Sequence, residues 1–314
     1  MLYLKHMNYS VIVPVYNEAD NVARLHAEIV TSMNQLGRSY EIIMIDDGSH
    51  DQTVEILKTL SPIVIVCLRK NFGQTAAMDA GIKQAQGEVI ITLDGDGQNP
   101  PSEIPKLLER MEQGHYDVVS GWRKKRNDPL MKRLVSRGAY LLRSVFVKDN
   151  IHDSGCSLKV YRRSCFENVD LFGEMHRFIP AILSWSGFTI GEVEVEHRPR
   201  TAGVSKYNWR RTVKGFIDML AIYFWRKYAS RPLHLFGGLS FILILLSSIL
   251  VVYLLVKKIW LHAALADSNL PLLAVLLIVL AVQFFISGIL ADIAMRTYYK
   301  GDRRPYTVAN IIKQ

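Results

Sequence analysis

The sequence predicts an α/β domain built on a mostly parallel sheet, followed by two membrane-spanning helices. Three observations carry that expectation. Short apolar runs alternate with segments of helical periodicity, polar residues collect where those runs end, and two long uncharged segments follow His234, roughly Leu235 to Val256 and Leu270 to Ala291. Strands alternating with helices imply a parallel sheet covered on both faces. Each of the two apolar segments is about the length that crosses a bilayer as a helix.

Along the chain, Ser10 to Tyr16 reads as a buried strand that runs into a loop, and Asn17 to Gln35 has helical spacing through Val22, Leu25, Ile29 and Met33. Tyr40 to Ile45 is a second strand, closed by Asp46-Asp47-Gly48-Ser49, and Asp51 is placed to cap a helix from Gln52 to Leu60. Pro62 to Leu68 reads as a third strand and Gln74 to Ala85 as a third helix. Glu88 to Leu93 is the next strand, followed by a proline-initiated helix from Pro101 to Gln113 and a strand from Asp117 to Ser120. Ligands of such sheets bind beyond the carboxyl ends of the strands. Val15-Tyr16-Asn17-Glu18, Asp46-Asp47, Asn71 and Asp94-Gly95-Asp96 all fall at those ends.

Asp94 and Asp96 are the chemically richest pair. Carboxylates at i and i+2 lie on one side of an extended backbone. With the Gln98 amide they offer oxygen ligands to a hard divalent cation, and that cation can hold a diphosphate. The same residue types also make ordinary turns, so the rim position is what favours the metal reading. No G-x-G-x-x-G and no G-x-x-x-x-G-K-[ST] occurs, which disfavours a dehydrogenase or a P-loop enzyme.

Charge sets the orientation expected of the spans. The formal net charge is +9. Arg226, Lys227 and Arg231 precede the first span, and Arg296, Lys300, Arg303 and Arg304 follow the second. The connection carries only Lys257, Lys258 and Asp267, so both flanks are expected in the cytoplasm. Met1 to Val15 has a short apolar run broken by Pro14 and does not fit a signal peptide. Anionic lipid headgroups suit this charge better than nucleic acid, for which no aromatic-basic module is present. Cys67, Cys156 and Cys165 lack paired metal spacing and read as reduced thiols. Trp209 to Trp225 sets Arg210, Arg211 and Lys214 against Val213, Phe216, Ile217, Leu220 and Phe224, which suits an interfacial amphipathic helix or an ordinary packed one. Within the second span, Gln283 and Ser287 are assigned to helix packing. The expected organisation is a catalytic domain over 1–207, a juxtamembrane region over 208–232 and a two-helix membrane domain over 233–314.

Several stretches occur together and in order: Val13-Pro14-Val15-Tyr16-Asn17-Glu18, Asp46-Asp47-Gly48-Ser49-x-Asp51, Asn71-Phe72-Gly73-Gln74 and Leu93-Asp94-Gly95-Asp96-Gly97-Gln98. Asn99-Pro100-Pro101-x-Glu103-Ile104-Pro105, Asp153-Ser154-Gly155-Cys156 and Gly203-Val204-Ser205-Lys206-Tyr207 are more discriminating. On these residues the chain resembles the family-2 glycosyltransferases of GT-A fold. More narrowly it resembles the polyprenyl-phosphate branch, which includes dolichyl-phosphate mannose synthases, bactoprenol glucosyltransferases and undecaprenyl-phosphate aminoarabinose transferases.

The resemblance implies a membrane-bound enzyme that moves one sugar, with inversion, from a nucleotide sugar to polyprenyl (undecaprenyl) phosphate. A UDP-sugar is favoured over a GDP-sugar, Mg²⁺ or Mn²⁺ is the cofactor, and the inner membrane is the location, with the catalytic domain and C-terminus cytoplasmic. A homo-oligomer is compatible with it. By the same resemblance Pro14, Tyr16, Glu18, Asp46 and Asp47 hold the nucleoside, and Asp94 lies near the ribose and the metal. Asp96 and Gln98 ligate the metal, while Arg200 and Lys206 reach the diphosphate; contact with the membrane surface is the alternative for those two. Arg123, Lys132 and Ser136 match acceptor-phosphate positions. Lys132 stands where arginine is expected and lacks the planar fork that grips phosphate at two points.

Asp153 matches the residue discussed as a base. A phosphate monoester has a second pKa near ~6, so the acceptor is already ionised at neutral pH, and Asp153 is left as base or orienting group. His176-Arg177-Phe178 has two readings, a sugar or loop contact and a core-supporting cluster. A processive polysaccharide synthase is the nearer alternative function, but its usual Q-x-x-R-W is absent. A catalytically silent membrane scaffold is the other, against which Asp94, Asp96, Gln98, Arg200 and Lys206 stand intact.

Overall fold

The computed structural model describes residues 8–124, 151–167, 169, 171, 173–198, 223–224, 227–228, 231–261 and 268–298. The chain divides into two compact units, Met1–Met219 and Leu220–Gln314. Among the described residues the first is built on a sheet of seven strands: β1 (Tyr9–Val15), β2 (Tyr40–Asp46), β3 (Val64–Cys67), β4 (Val89–Thr92), β5 (Val118–Trp122), β6 (Lys159–Arg162) and β7 (Ile190–Glu194). Their order across the sheet is β3-β2-β1-β4-β6-β5-β7. Neighbours run parallel except at β6, which is antiparallel to both β4 and β5.

Period-two alternation sorts the strands into two cores. Val11, Val13, Val15, Ile42, Met44, Ile91 and Val160 face one side with α1 (Ala19–Gln35) and α4 (Ile104–Gln113). Ile12, Ile43, Ile45, Ile90, Val118 and Tyr161 face the other, against α3 (Gln74–Gln84) and α5 (Ile179–Trp185). On α1 the buried Val22, Leu25, Ile29 and Met33 recur at helical spacing, as the sequence requires.

Chain order reverses about β1, with β2 on one side and β4 on the other. That is the topological switch point of an open α/β sheet, where a crevice forms. Pro14 contributes to it. The β1–β4 ladder ends at Ile12↔Thr92, so the amide hydrogen that proline lacks falls beyond the paired region.

Three details depart from the sequence reading. Helix α1 begins at Ala19 rather than Asn17, because Asn17 takes φ +54°. Helix α2 is only Thr53–Leu57, with Asp51 Oδ1 accepting from the Thr53 N–H at 2.9 Å. Strands β6 and β7 were not anticipated: Lys-Val-Tyr-Arg and Ile-Gly-Glu-Val-Glu carry too many charges to show an apolar run.

Gly48 turns the chain after β2 at φ +73°, and a Cβ there would lie 2.6 Å from the backbone carbon of Lys70. Gly48→Ala therefore combines left-handed strain with a backbone clash. It is expected to cost about 3 kcal/mol, read as a lowered unfolding midpoint of the detergent-solubilised protein.

The second unit is built on α6 (Pro232–Leu261) and α7 (Leu270–Tyr298). Both are long and apolar enough to cross a membrane. Ser240, Ser247 and Leu254 on α6, and Ala274 and Ala281 on α7, are buried at seven-residue intervals. Gly288 continues the second series, and a Cβ there would lie 2.9 Å from Phe236 Cβ. Ser247 Oγ donates to the Ala274 carbonyl at 2.9 Å. Small residues let the helices approach closely, the usual basis of packing between apolar helices. Of the two polar residues expected to serve packing, Gln283 is instead exposed and Ser287 is half-buried.

Candidate active site

Residues from the ends of β1, β2 and β4 converge on the switch-point rim. A Cβ on Gly95 would lie 2.8 Å from Val15 Cγ1, 3.1 Å from the Pro14 carbonyl and 3.6 Å from Glu18 Cγ. The end of β1 therefore touches the Asp94–Asp96 loop, and only glycine permits that approach. Tyr16 stands 36% exposed beside it, edge-on to His50 with ring centroids 6.4 Å apart. Asn17 donates its backbone N–H to Ser49 Oγ at 2.8 Å, and the Asn17 side chain accepts from His50 N at 2.9 Å. These bonds join the loops that follow β1 and β2.

Asp46 and Asp47 are buried and already engaged. Both Asp46 oxygens face the Ser49 N–H, at 3.1 and 3.3 Å. Asp47 accepts from the N–H groups of Phe72 at 2.7 Å and Gly73 at 2.9 Å. It thereby fixes the Asn71–Gly73 turn that starts α3. From the first position of that helix, Gln74 Nε2 donates to Asp94 Oδ1 at 2.6 Å. Thr75, next along, is 2.7 Å from His176 Nδ1, and Arg177 Nε donates to His176 Nε2 at 3.3 Å. The His-Arg pair is thus tied to the start of α3, one residue from the side chain that holds Asp94.

Burial and the nearby Asp96 carboxylate push the Asp94 carboxyl above the usual carboxylate range, while Ser157, Lys159 and Arg123 oppose the shift. Two carboxylates that repel one another in a partly buried place fit a divalent cation, which would relieve both effects. Among the described residues no group of three or more His, Cys, Asp or Glu side chains is gathered for a metal.

Across the rim, Arg123 and Asp153 form a two-point ion pair. Arg123 Nε lies 2.6 Å from Asp153 Oδ2 and Nη2 lies 3.0 Å from Oδ1, with both side chains under a tenth exposed. The Arg123 N–H adds a third bond, at 3.2 Å. Flanking residues reinforce the junction: Trp122 stacks on His152 at 4.5 Å, and His152 bonds Glu192 at 2.7 Å.

Ser157 links the two halves. Its hydroxyl accepts from Asp94 N at 3.1 Å and from Asn99 Nδ2 at 2.7 Å, and its carbonyl accepts from Thr92 Oγ1 at 2.8 Å. Gln98 donates its backbone N–H to Asp96 Oδ1 at 3.1 Å, and its carbonyl accepts from Arg198 N at 2.9 Å.

Pro14, Tyr16, Glu18, Asp46, Asp47, Asp94, Asp96 and Gln98 thus gather on one rim, with Arg123 and Asp153 joined to it through Ser157. Lys132, Ser136, Arg200 and Lys206 lie outside the described residues. Sequence reasoning quoted Gln74 within Asn71-Phe72-Gly73-Gln74 without giving it a role, and missed Ser157 as part of the site. Ser157 directly follows Asp153-Ser154-Gly155-Cys156, so adjacency was the available signal.

The chain is similar to known proteins over most of its length. The profile of glycosyl transferase family 2 matches residues 10–170. A dodecaprenyl-phosphate galacturonate synthase of Rhizobium johnstonii is 39% identical over 98% of this chain and 94% of that protein. An undecaprenyl-phosphate 4-deoxy-4-formamido-L-arabinose transferase of Pseudomonas aeruginosa is 36% identical over 94% of this chain and 87% of its own. Among solved structures, mannosyl-3-phosphoglycerate synthase from Rubrobacter xylanophilus superposes with a TM-score of 0.58 at 16% identity, covering 69% of this chain and 74% of that one. Glucosyl-3-phosphoglycerate synthase from Mycobacterium tuberculosis, solved with Mn²⁺, UDP and glucosyl-3-phosphoglycerate, gives 0.54 at 16% identity, covering 69% and 80%. These likenesses place the first unit in the GT-A fold.

Proposed function

We propose, from the premise that the chain belongs to glycosyl transferase family 2, a specific task for this glycosyltransferase. It transfers one sugar from a UDP-sugar to the phosphate of a polyprenyl lipid, with inversion, at a membrane held by α6 and α7. The observation that carries the reading is the Ser157 link, which sets the Asp94–Asp96 pair and the Arg123–Asp153 pair on one rim. One pair suits a metal-bound diphosphate and the other a phosphate monoester. Relatives named for transfer to dodecaprenyl or undecaprenyl phosphate support the acceptor class.

In this reading Tyr16 stacks on the nucleobase, and Asp94 and Asp96 hold a divalent cation with Gln98 beside them. The cation would neutralise charge on the departing nucleoside diphosphate. A lipid phosphate oxygen attacks the anomeric carbon as the bond to the diphosphate breaks. The acceptor is largely ionised at neutral pH, its second pKa being near ~6. The Asp153 carboxylate is committed to Arg123 at two points, which supports orienting the guanidinium over taking a proton. Arg200 and Lys206 add positive charge for the diphosphate.

The test is incubation of purified protein with radiolabelled nucleotide sugars, undecaprenyl phosphate and Mg²⁺ or Mn²⁺. A lipid-extractable, mild-acid-labile product carrying one sugar is expected. Products with several sugars would favour a processive synthase, and no transfer from any donor would favour a silent scaffold.

The raised Asp94 pKa gives a second expectation, for metal-free protein. A carboxyl whose folded pKa exceeds its unfolded value stabilises the fold most when protonated. That contribution is present below the ordinary carboxylate pKa and is lost as pH rises through the raised one. Without metal, the unfolding midpoint of Asp94→Asn relative to wild type should rise as pH climbs out of the acid range, since only the wild type loses this contribution.

A further inference from the structure

Lys159 is the anomalous residue of the core. It stands on β6 between Thr92 of β4 and Ser120 of β5, 3% exposed. Burying an ammonium is costly unless it is paired and fully hydrogen-bonded, and burial lowers its pKa. An unbranched apolar side chain would fill the same space without that cost. The Lys159 Nζ donates to the carbonyls of Cys156 and Ser154, the latter at 3.2 Å. Both carbonyls belong to the 153–157 loop, which holds Arg123 at one end through Asp153 and Asp94 at the other through Ser157. The nearby Asp153 and Asp94 carboxylates oppose that shift, while Arg123 adds to it.

We propose that Lys159 is a positioning residue: it grips the 153–157 loop from beneath and so fixes the spacing between the Arg123–Asp153 pair and the Asp94 loop. The assignment rests on the reading given above, with the donor at Asp94 and the lipid phosphate at Arg123. Lys159 touches neither substrate. Its effect falls on transfer between them, because sub-ångström spacing of reactants controls rate far more than it controls the binding of either one.

The experiment compares wild type, Lys159→Met and Lys159→Arg as full-length proteins in detergent. Lys159→Met is expected to lower kcat about 100-fold while the KM for nucleotide sugar changes less than about twofold. Donor hydrolysis without lipid should be unchanged, and Lys159→Arg should recover most of the rate. Hydrogen exchange reads positioning without turnover. Amides of Arg123 and of the 153–157 loop should exchange about tenfold faster in Lys159→Met, with β1 and β2 unaffected. Wild-type loop exchange or wild-type kcat in Lys159→Met would overturn the assignment. Faster exchange throughout the sheet would also overturn it, since that is mere core packing. Should the wild type transfer no sugar while loop exchange still rises locally, the functional reading fails and the positioning role stands.

Discussion

Asp96→Ala is expected to abolish sugar transfer while leaving the protein inserted in the membrane and folded. Asp96 is half-buried, follows Asp94 by two residues, and raises the Asp94 pKa. On the proposed reading the two carboxylates share a metal, and losing one of them would remove several kcal/mol from transition-state charge stabilisation. At about 1.4 kcal/mol per tenfold, a loss of ~4 kcal/mol is about a thousandfold in rate. The check is twofold: turnover with radiolabelled donor, and Mn²⁺-dependent UDP binding by calorimetry. Turnover within about tenfold of wild type would remove Asp96 from the clamp.

The second large effect is expected at the Arg123–Asp153 pair. Removing one member leaves a buried charge without its partner, a change that costs about 3–5 kcal/mol. Arg123→Ala should therefore lower both stability and transfer. Asp153→Asn keeps the shape and is the more informative variant, with kcat expected to fall about a hundredfold. The pH profile separates the two roles left open for Asp153. If the lipid phosphate supplies its own charge, the acid limb of kcat near ~6 belongs to the substrate and persists in Asp153→Asn. Disappearance of that limb would make Asp153 the base.

Much of the first unit was legible because its strands are apolar and its turns are polar. The Ser10–Tyr16 run, the helical spacing of Val22, Leu25, Ile29 and Met33, and the Asp94–Asp96 pair all appear where the pattern places them. Strands β6 and β7 escaped because their partners, not their composition, make them strands. Val160 and Tyr161 pair with β4 and β5 over long sequence separations, and no local pattern encodes that pairing. The Ser157 bridge escaped for the same reason, since it accepts from Asp94 N and Asn99 Nδ2, 63 and 58 residues away. The Lys159 grip is local, on the carbonyls of Ser154 and Cys156, but a lysine in a short charged stretch does not announce that it is buried. The membrane seam was partly legible. Polar side chains were the obvious signal there, but the spacing of serine, alanine and glycine carries the contact.

The bond from Arg198 N to the Gln98 carbonyl ties the chain that leaves β7 to the Asp94–Gln98 loop, so a substitution that shifts one of these two stretches is felt by the other.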